Sequence, residues 1–263
     1  MKTICLVIAL LFSHSVSAKI SFSYQDFAPF TYQKEGRAQG IMIDILKLVC
    51  AEMQQQCEFK YYPNKRAKDY MAKGLVHGNL PLGWNVSRKE WIHFSVPLLT
   101  TSYSFFGLQK NDFKYTELAD LEGLVVGVFG PSNTQFSLEK IQHKMIEQGL
   151  VPIEIDQHSN ADGKGLIKVI KERFGLYFVN SELANYRIEN LQLQGLENKG
   201  RYRSLEYHVG FAKEYISKDF IIRFNRTVLQ LYRDAAFKKI WEKWHSEAGN
   251  IDPIHLRELE IQY

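Results

Sequence analysis

Arg88 has the residue type and the setting to grip an anion. The apolar run Leu75, Val76, Leu80 and Leu82 breaks at Gly83, and a second run, Ile92 to Phe94, leads into Ser95-Val96-Pro97, so Arg88 falls on a connection. A guanidinium stays charged and offers a planar fork of donors that fits a carboxylate bidentately. A charged residue on a connection is as readily a solvated one, and the residues alone leave both readings open. A second anion-binding feature is Gly130-Pro131-Ser132-Asn133-Thr134, which follows the apolar residues 125–129. A tight turn there delivers free backbone N–H groups at a helix start, where hydrogen bonding and the helix dipole both favour negative charge. Ser132, Asn133 or Thr134 can cap that helix, and capping alone accounts for at least one of them.

Other chemistries find less support. The eight histidines show no H-E-x-x-H and no Cys/His ligand spacing, and no G-x-S-x-G elbow is present, so neither a metal site nor an activated nucleophile is indicated. No cofactor is expected. Asp26, Glu90 and Glu182 are the acids near the motifs, and general acid–base work needs one of them within hydrogen-bond reach of a substrate. A formal net charge of +4 without a basic run interleaved with aromatics gives no surface for nucleic acid.

The elements that must position these residues alternate in type. Ile20, Phe22 and Tyr24 have the period-two pattern of a strand, and Met42, Ile45, Leu46, Val49 and Met53 recur at helical spacing over residues 41–53. A strand over 57–62 and a short helix over 64–73, stopped by Gly74, come next. Residues 101–108 read as a strand. A helix at 134–148, a strand at 151–155, a helix at 166–174 and a strand at 175–179 then alternate as βαβα units do. Leu205, Tyr207, Val209 and Phe211 alternate within 203–213. Ser217 can cap a helix carrying Phe220, Ile221, Phe224, Val228 and Leu231, and Asp234 another carrying Phe237, Ile240, Trp241 and Trp244. Residues 249–263 form a tail without an assigned role.

The 263 residues, 45% hydrophobic and 24% charged, suit an ordinary globular chain of one or two domains. Residues 1–18 read as a signal peptide: Lys2 gives a positive start, residues 4–12 an apolar core, and Val16-Ser17-Ala18 a cleavage site. The apolar run is about half the ~20 residues a membrane-spanning helix needs. Export leaves Cys50 and Cys57, which in an oxidising compartment are either a disulfide or two buried thiols. The sequons at Asn85 and Asn225 matter only in a eukaryotic secretory pathway.

The R-x-x-W-x-x-F-S-x-P pattern from Arg88 to Pro97 resembles the E-R-x-x-x-x-x-F-S-x-P segment of the bacterial family 3 extracellular solute-binding proteins. Phe27-Ala28-Pro29-Phe30 is similar to their aromatic-x-P-F loop, and Asp120-Leu121-Glu122-Gly123 through Thr134 to their D-L-x-G-x-x-V-G-V-x-x-G-T-T run. The ending F-x-x-I-W-E-K-W-H, from Phe237, resembles their closing G-x-x-x-x-I-x-x-K-W. These landmarks fall in the family order over residues 20–245.

The resemblance implies an α/β, two-lobed periplasmic-binding-protein fold of type II, each lobe a sheet flanked by helices. Lobe 1 would comprise 19–104 and 206–263, lobe 2 would be 105–205, and two crossing strands would join them. Arg88 would hold a ligand carboxylate, helped by the Ser132, Asn133 and Thr134 turn. Phe27 would stack on the ligand, Gly83 and Trp84 would line the cleft, and Arg66, in a P-x-K-R-A-like run, would be a second cation. The C-x6-C spacing matches the family's basic-amino-acid receptors, which favours a Cys50–Cys57 bridge. Asn180 stands where relatives place an aspartate that pairs with an α-ammonium, and Leu80, Pro81 and Gly83 stand where hydroxyl residues are common, so the implied ligand is a small carboxylate-bearing compound, an amino acid or a related one, with a carboxylate lacking an α-amine or a larger compound with an aromatic or amide part equally open. The implied protein is a periplasmic monomer that serves an ABC permease; the alternative is a ligand-sensing receptor for a membrane signalling protein, and after that an exported enzyme such as a cyclohexadienyl dehydratase.

Overall fold

The computed structural model describes residues 19–159 and 164–263; the signal-peptide reading lies outside the described residues. In chain order the elements are β1 (Ile20–Tyr24), β2 (Tyr32–Lys34), β3 (Arg37–Gln39), α1 (Ile41–Glu52), β4 (Cys57–Tyr61), α2 (Asn64–Ala72), β5 (Gly78–Gly83), α3 (Val86–Lys89), β6 (Ile92–Phe94) and β7 (Leu99–Leu108). They continue with β8 (Val125–Phe129), α4 (Asn133–Glu147), β9 (Glu154–His158), α5 (Lys164–Ile170), β10 (Leu176–Asn180), α6 (Ser181–Asn190), β11 (Leu196–Ala212), α7 (Lys218–Arg233), α8 (Lys238–Lys243) and α9 (Pro253–Glu258).

The main sheet runs β4-β1-β5-β11-β7-β10-β8-β9, with β6 on β11. Its two wings are parallel, β4-β1-β5 on one side and β10-β8-β9 on the other, and each is attached to the long antiparallel pair β7–β11. This is the expected α/β class, with the two wings, each flanked by helices, continuous in one sheet through β7 and β11. The positions 104–105 and 205–206 fall inside β7 and β11.

Each wing has its own core. In the first, Phe22, Tyr24 and Leu80 of the strands meet Met42, Leu46 and Val49 of α1 and Phe224 and Val228 of α7. In the second, side chains that alternate along the strands supply both faces: Val126, Val128, Phe105 and Phe178 pack on α4, while Phe106, Tyr177 and Val179 pack on α5 and α6. Parallel strands covered on both sides read as continuous apolar runs, which is how Leu176–Asn180 reads. Cys50, in α1, is bonded to Cys57, the first residue of β4. Such a bridge contributes about 2–4 kcal/mol, mainly by restricting the unfolded chain.

Several boundaries differ from the sequence expectation for identifiable reasons. The strand expected at 151–155 is Glu154–His158, because its register is imposed by pairing with β8, Val125 opposite Glu154. The helix expected at 166–174 is Lys164–Ile170, and Glu172 just beyond it takes a positive φ of 53°. β11 starts seven residues before the expected 203, at Leu196, because β7 offers it partners along its whole length. Its first half alternates no apolar residues and is bulged at two places, so it carries no period-two signal. Asp234 does not start α8. It follows the last residue of α7, and both its carboxylate oxygens accept from the Gln230 amide at 2.9 Å. The tail 249–263 is a strap: Asp252 caps α9, and Leu256 and Ile261 enter the first core. Asn225 ties it down, accepting from the Val96 amide at 2.9 Å and donating to the Gln262 carbonyl. That sequon side chain is fully buried.

His208, 0% exposed on β11, sits beneath this strap. Its Nδ1 lies 2.8 Å from the Ser95 carbonyl, so it donates, and Nε2 has no partner among the described residues. Burial, with a smaller effect of His255, pushes its pKa from 6.5 down to about 4. The unfolded chain therefore takes up this proton before the folded one does: the contribution is complete above pH 6.5 and is lost as pH falls to about 4. The loss is on the order of 3 kcal/mol. Urea denaturation of the wild type between those pH values is expected to show it, and His208→Gln to flatten that slope; an unchanged slope would assign the acid sensitivity elsewhere.

Candidate functional site

β7 and β11 carry Tyr103 and Tyr207 into the floor of a cleft of about 420 Å³ between the two wings. Phe27 leans over this floor, with its ring 5.9 Å from that of Tyr207 in an edge-on arrangement. Phe30 is fully buried and packs edge-on against Tyr207 from behind at 4.9 Å.

Arg88 enters from a short helical turn. Asn85 starts that turn by accepting from the Arg88 amide at 2.9 Å, and Nη1 of Arg88 folds back to the Gly83 carbonyl at 2.7 Å. Nη2 reaches Asn133 Oδ1 of the other wing at 3.5 Å, the limit of a hydrogen bond. Arg88 has no ion pair among the described residues. Burial lowers its pKa, and Tyr103 and Tyr207 pull weakly the other way.

The start of α4 faces Arg88. Ser132 is the cap, accepting from the Gln135 amide at 3.1 Å and donating to the Phe129 carbonyl at 2.6 Å, so its hydroxyl is committed. Thr134 hydrogen-bonds the buried Tyr103 phenol. The amides of Asn133 and Thr134 have no partner among the described residues and are the groups left for an anion.

Asn180 lines the cleft yet is 2% exposed. Its Oδ1 caps α6 by accepting from the Leu183 amide at 3.1 Å, and Nδ2 donates to Thr101 Oγ1 at 2.7 Å and, more weakly, to the Tyr207 hydroxyl at 3.4 Å. Thr101 in turn donates to Glu182, whose carboxyl is pushed up by burial. Glu182 does not line the cleft. Glu90 is exposed beyond α3 and also lies off its walls, whereas Asp26 lines it and faces Arg187 at 4.0 Å.

Arg88, Phe27, Gly83, Ser132, Asn133, Thr134 and Asn180 are thus brought together, and Trp84 and Arg66 are not. Trp84 packs at the edge of the first core and lines a neighbouring groove. Arg66 is exposed on α2, whose buried residues are Ala67 and Met71. Lys68 lies about 60° around the helix from Met71 whereas Arg66 lies about 140° away, so Lys68 is the one turned inward. Lys68, Tyr103, Tyr207 and Arg187 escaped sequence reasoning. Helical phase would have found Lys68, and the strand alternation around Tyr207 found the residue without its role.

Two α/β wings on a shared antiparallel pair, with a polar cleft at the junction, define a two-lobed ligand-binding fold. The chain belongs to the bacterial extracellular solute-binding proteins, family 3, whose sequence pattern matches residues 20–247. No curated protein sequence matches it. A histidine kinase sensor domain with similarity to periplasmic binding proteins superposes with a TM-score of 0.75 at 15% identity, covering 89% of this chain and 99% of that one. An ancestral arginine-binding protein bound to arginine gives 0.70 at 20% identity, covering 86% and 97%. An ancestral amino-acid-binding protein, a precursor of cyclohexadienyl dehydratase, gives 0.70 at 17%, covering 86% and 94%. At these identities the likeness shows the fold.

Asn180→Asp tests the amide network. A helix start favours an aspartate by up to about 1 kcal/mol. Against this, the change deletes the donor to Thr101 and leaves two carboxylates to share one hydroxyl in a buried site, at a cost of about 1–3 kcal/mol or more. The variant is expected to denature at lower urea concentration; equal or greater stability would show that the network is dispensable.

Proposed function

We propose that this chain is a periplasmic solute-binding protein that captures a small carboxylate-bearing ligand between lobes comprising 19–104 with 206–263 and 105–205. The observation that carries the reading is Arg88: it is partly buried in the cleft wall, has no ion pair among the described residues, and is opposed by the free amides at the start of α4. Partly burying a cation is costly unless a ligand neutralises it. A ligand touching both walls favours the closed form through contacts it lacks in the open one. Phe27 is the stacking wall, and Asn180 shapes the pocket through Tyr207. The partner proposed is an ABC permease in the inner membrane.

A second reading, in which the ligand-bound form reports to a membrane sensor, is supported by the likeness to a histidine kinase sensor domain over 99% of that domain. Binding is proposed over turnover because Asp26, the one acid named above that lines the cleft, faces an arginine.

A thermal-shift screen of the ligand-stripped protein against organic acids, amino acids and small peptides tests the reading. A ligand at a hundred times its Kd adds about 2.7 kcal/mol of stability. Arg88→Ala is expected to weaken the best hit by about 100-fold. Undiminished affinity would remove Arg88 from the site, and consumption of the hit would identify an enzyme.

A further inference from the structure

The wall that carries Arg88 carries a second cation. Lys68, on α2, lines the same cleft and is half-buried, and no hydrogen bond or ion pair joins it to any described residue. Burial, followed by the nearby charge of Arg88, lowers its pKa to about 8, so at neutral pH both groups carry positive charge on the same cleft. The other charged residues on the walls, Asp26 and Arg187, face each other. Of the polar groups at the floor, Asn180 Oδ1 is committed to the Leu183 amide, and Glu182 is committed to Thr101 away from the wall. The cleft therefore offers two uncompensated positive charges and no free carboxylate to receive a third.

From this pairing of unbalanced cations we infer that the ligand is an organic dianion without an ammonium group, one acidic end held by Arg88 and the other by Lys68. The aromatic floor of Tyr207 and Phe27, and a volume of about 420 Å³, suit a ligand with a carbon body, larger than a bare oxyanion. The inference rests on the solute-binding reading and narrows it to a class of ligand. A dianion supplies each cation with a charge-assisted partner, whereas an α-amino acid brings a further positive charge beside two existing ones.

Isothermal titration of the ligand-stripped protein tests this with α,ω-dicarboxylates from malonate to suberate, the monocarboxylates of equal length, L-glutamate and L-aspartate, and inorganic phosphate. One dicarboxylate is expected to bind at least about tenfold more tightly than its monocarboxylate and than either amino acid, and more tightly than phosphate. Lys68→Met is expected to weaken that dicarboxylate by about 10- to 100-fold and to leave the monocarboxylate nearly unchanged, while Lys68→Arg keeps the preference. Unchanged dicarboxylate affinity in Lys68→Met, an amino acid or phosphate as the tightest ligand, or no binding across the dicarboxylate series would each overturn the inference. Tight amino-acid binding lost in Arg88→Ala would do so while leaving the solute-binding reading intact. Consumption of a bound dicarboxylate would remove the binding-protein reading and retain the ligand class.

Discussion

The antiparallel pairing of β7 with β11 is the constraint on which the molecule depends. The ten residues of β7 pair with β11 from Leu196 to Tyr207, and each parallel wing is hydrogen-bonded to one member of the pair. Take the pair away and the two cores share little: the first is closed by α1 and α7, the second by α4, α5 and α6. The same two strands supply the cleft floor, so the element that joins the wings is also the element against which a ligand would rest. β11 is bulged at two places along β7 and again between His208 and Gly210, where it pairs with β5. Bulges let a long ribbon bend without giving up its ladder.

Around that floor the polar groups divide into two kinds. Those beneath it are satisfied by one another: Asn180, Thr101, Glu182 and Tyr207 form a chain of hydrogen bonds, and Ser102 and Ser104 both lie 2.7 Å from Ser181, pinning the start of α6 to β7. A buried network with its members paired is rigid, and it holds the cleft's shape whether or not a ligand is present. Those on the walls are different. Arg88, Lys68 and the first amides of α4 keep donors to spare, and all of them attract negative charge. The contrast between a committed floor and uncommitted walls is what separates framework from recognition.

Kinship of fold leaves the biological role open to several uses, since sensor domains, amino-acid receptors and a precursor of an enzyme share this architecture. What distinguishes this chain is local. The Asn180 amide accepts from the Leu183 backbone and donates to Thr101 and, more weakly, to Tyr207. A carboxylate at this position would meet Thr101 and Glu182 in an arrangement built around an amide.

Much of the fold was legible in sequence because it is written in periodicity. The apolar spacing of residues 41–53 located α1, Ser217 announced α7, and the run from Arg88 to Pro97 placed the guanidinium at a chain connection. Local caps were legible for the same reason: Ser132 and Ser217 act on amides three residues away. Tertiary structure alone decided what depends on distant partners. The extent of β11 follows from β7, the start of β9 from β8, and the entry of Leu256 and Ile261 into the first core from the residues packed there. Likewise Lys68, and not Arg66, faces the cleft, because the phase of α2 is set by which of its sides packs on the first wing. Sequence by itself determined which local elements form and which residue types they carry; packing decided which side chains meet, because contacts between residues far apart in the chain have no periodic trace along it.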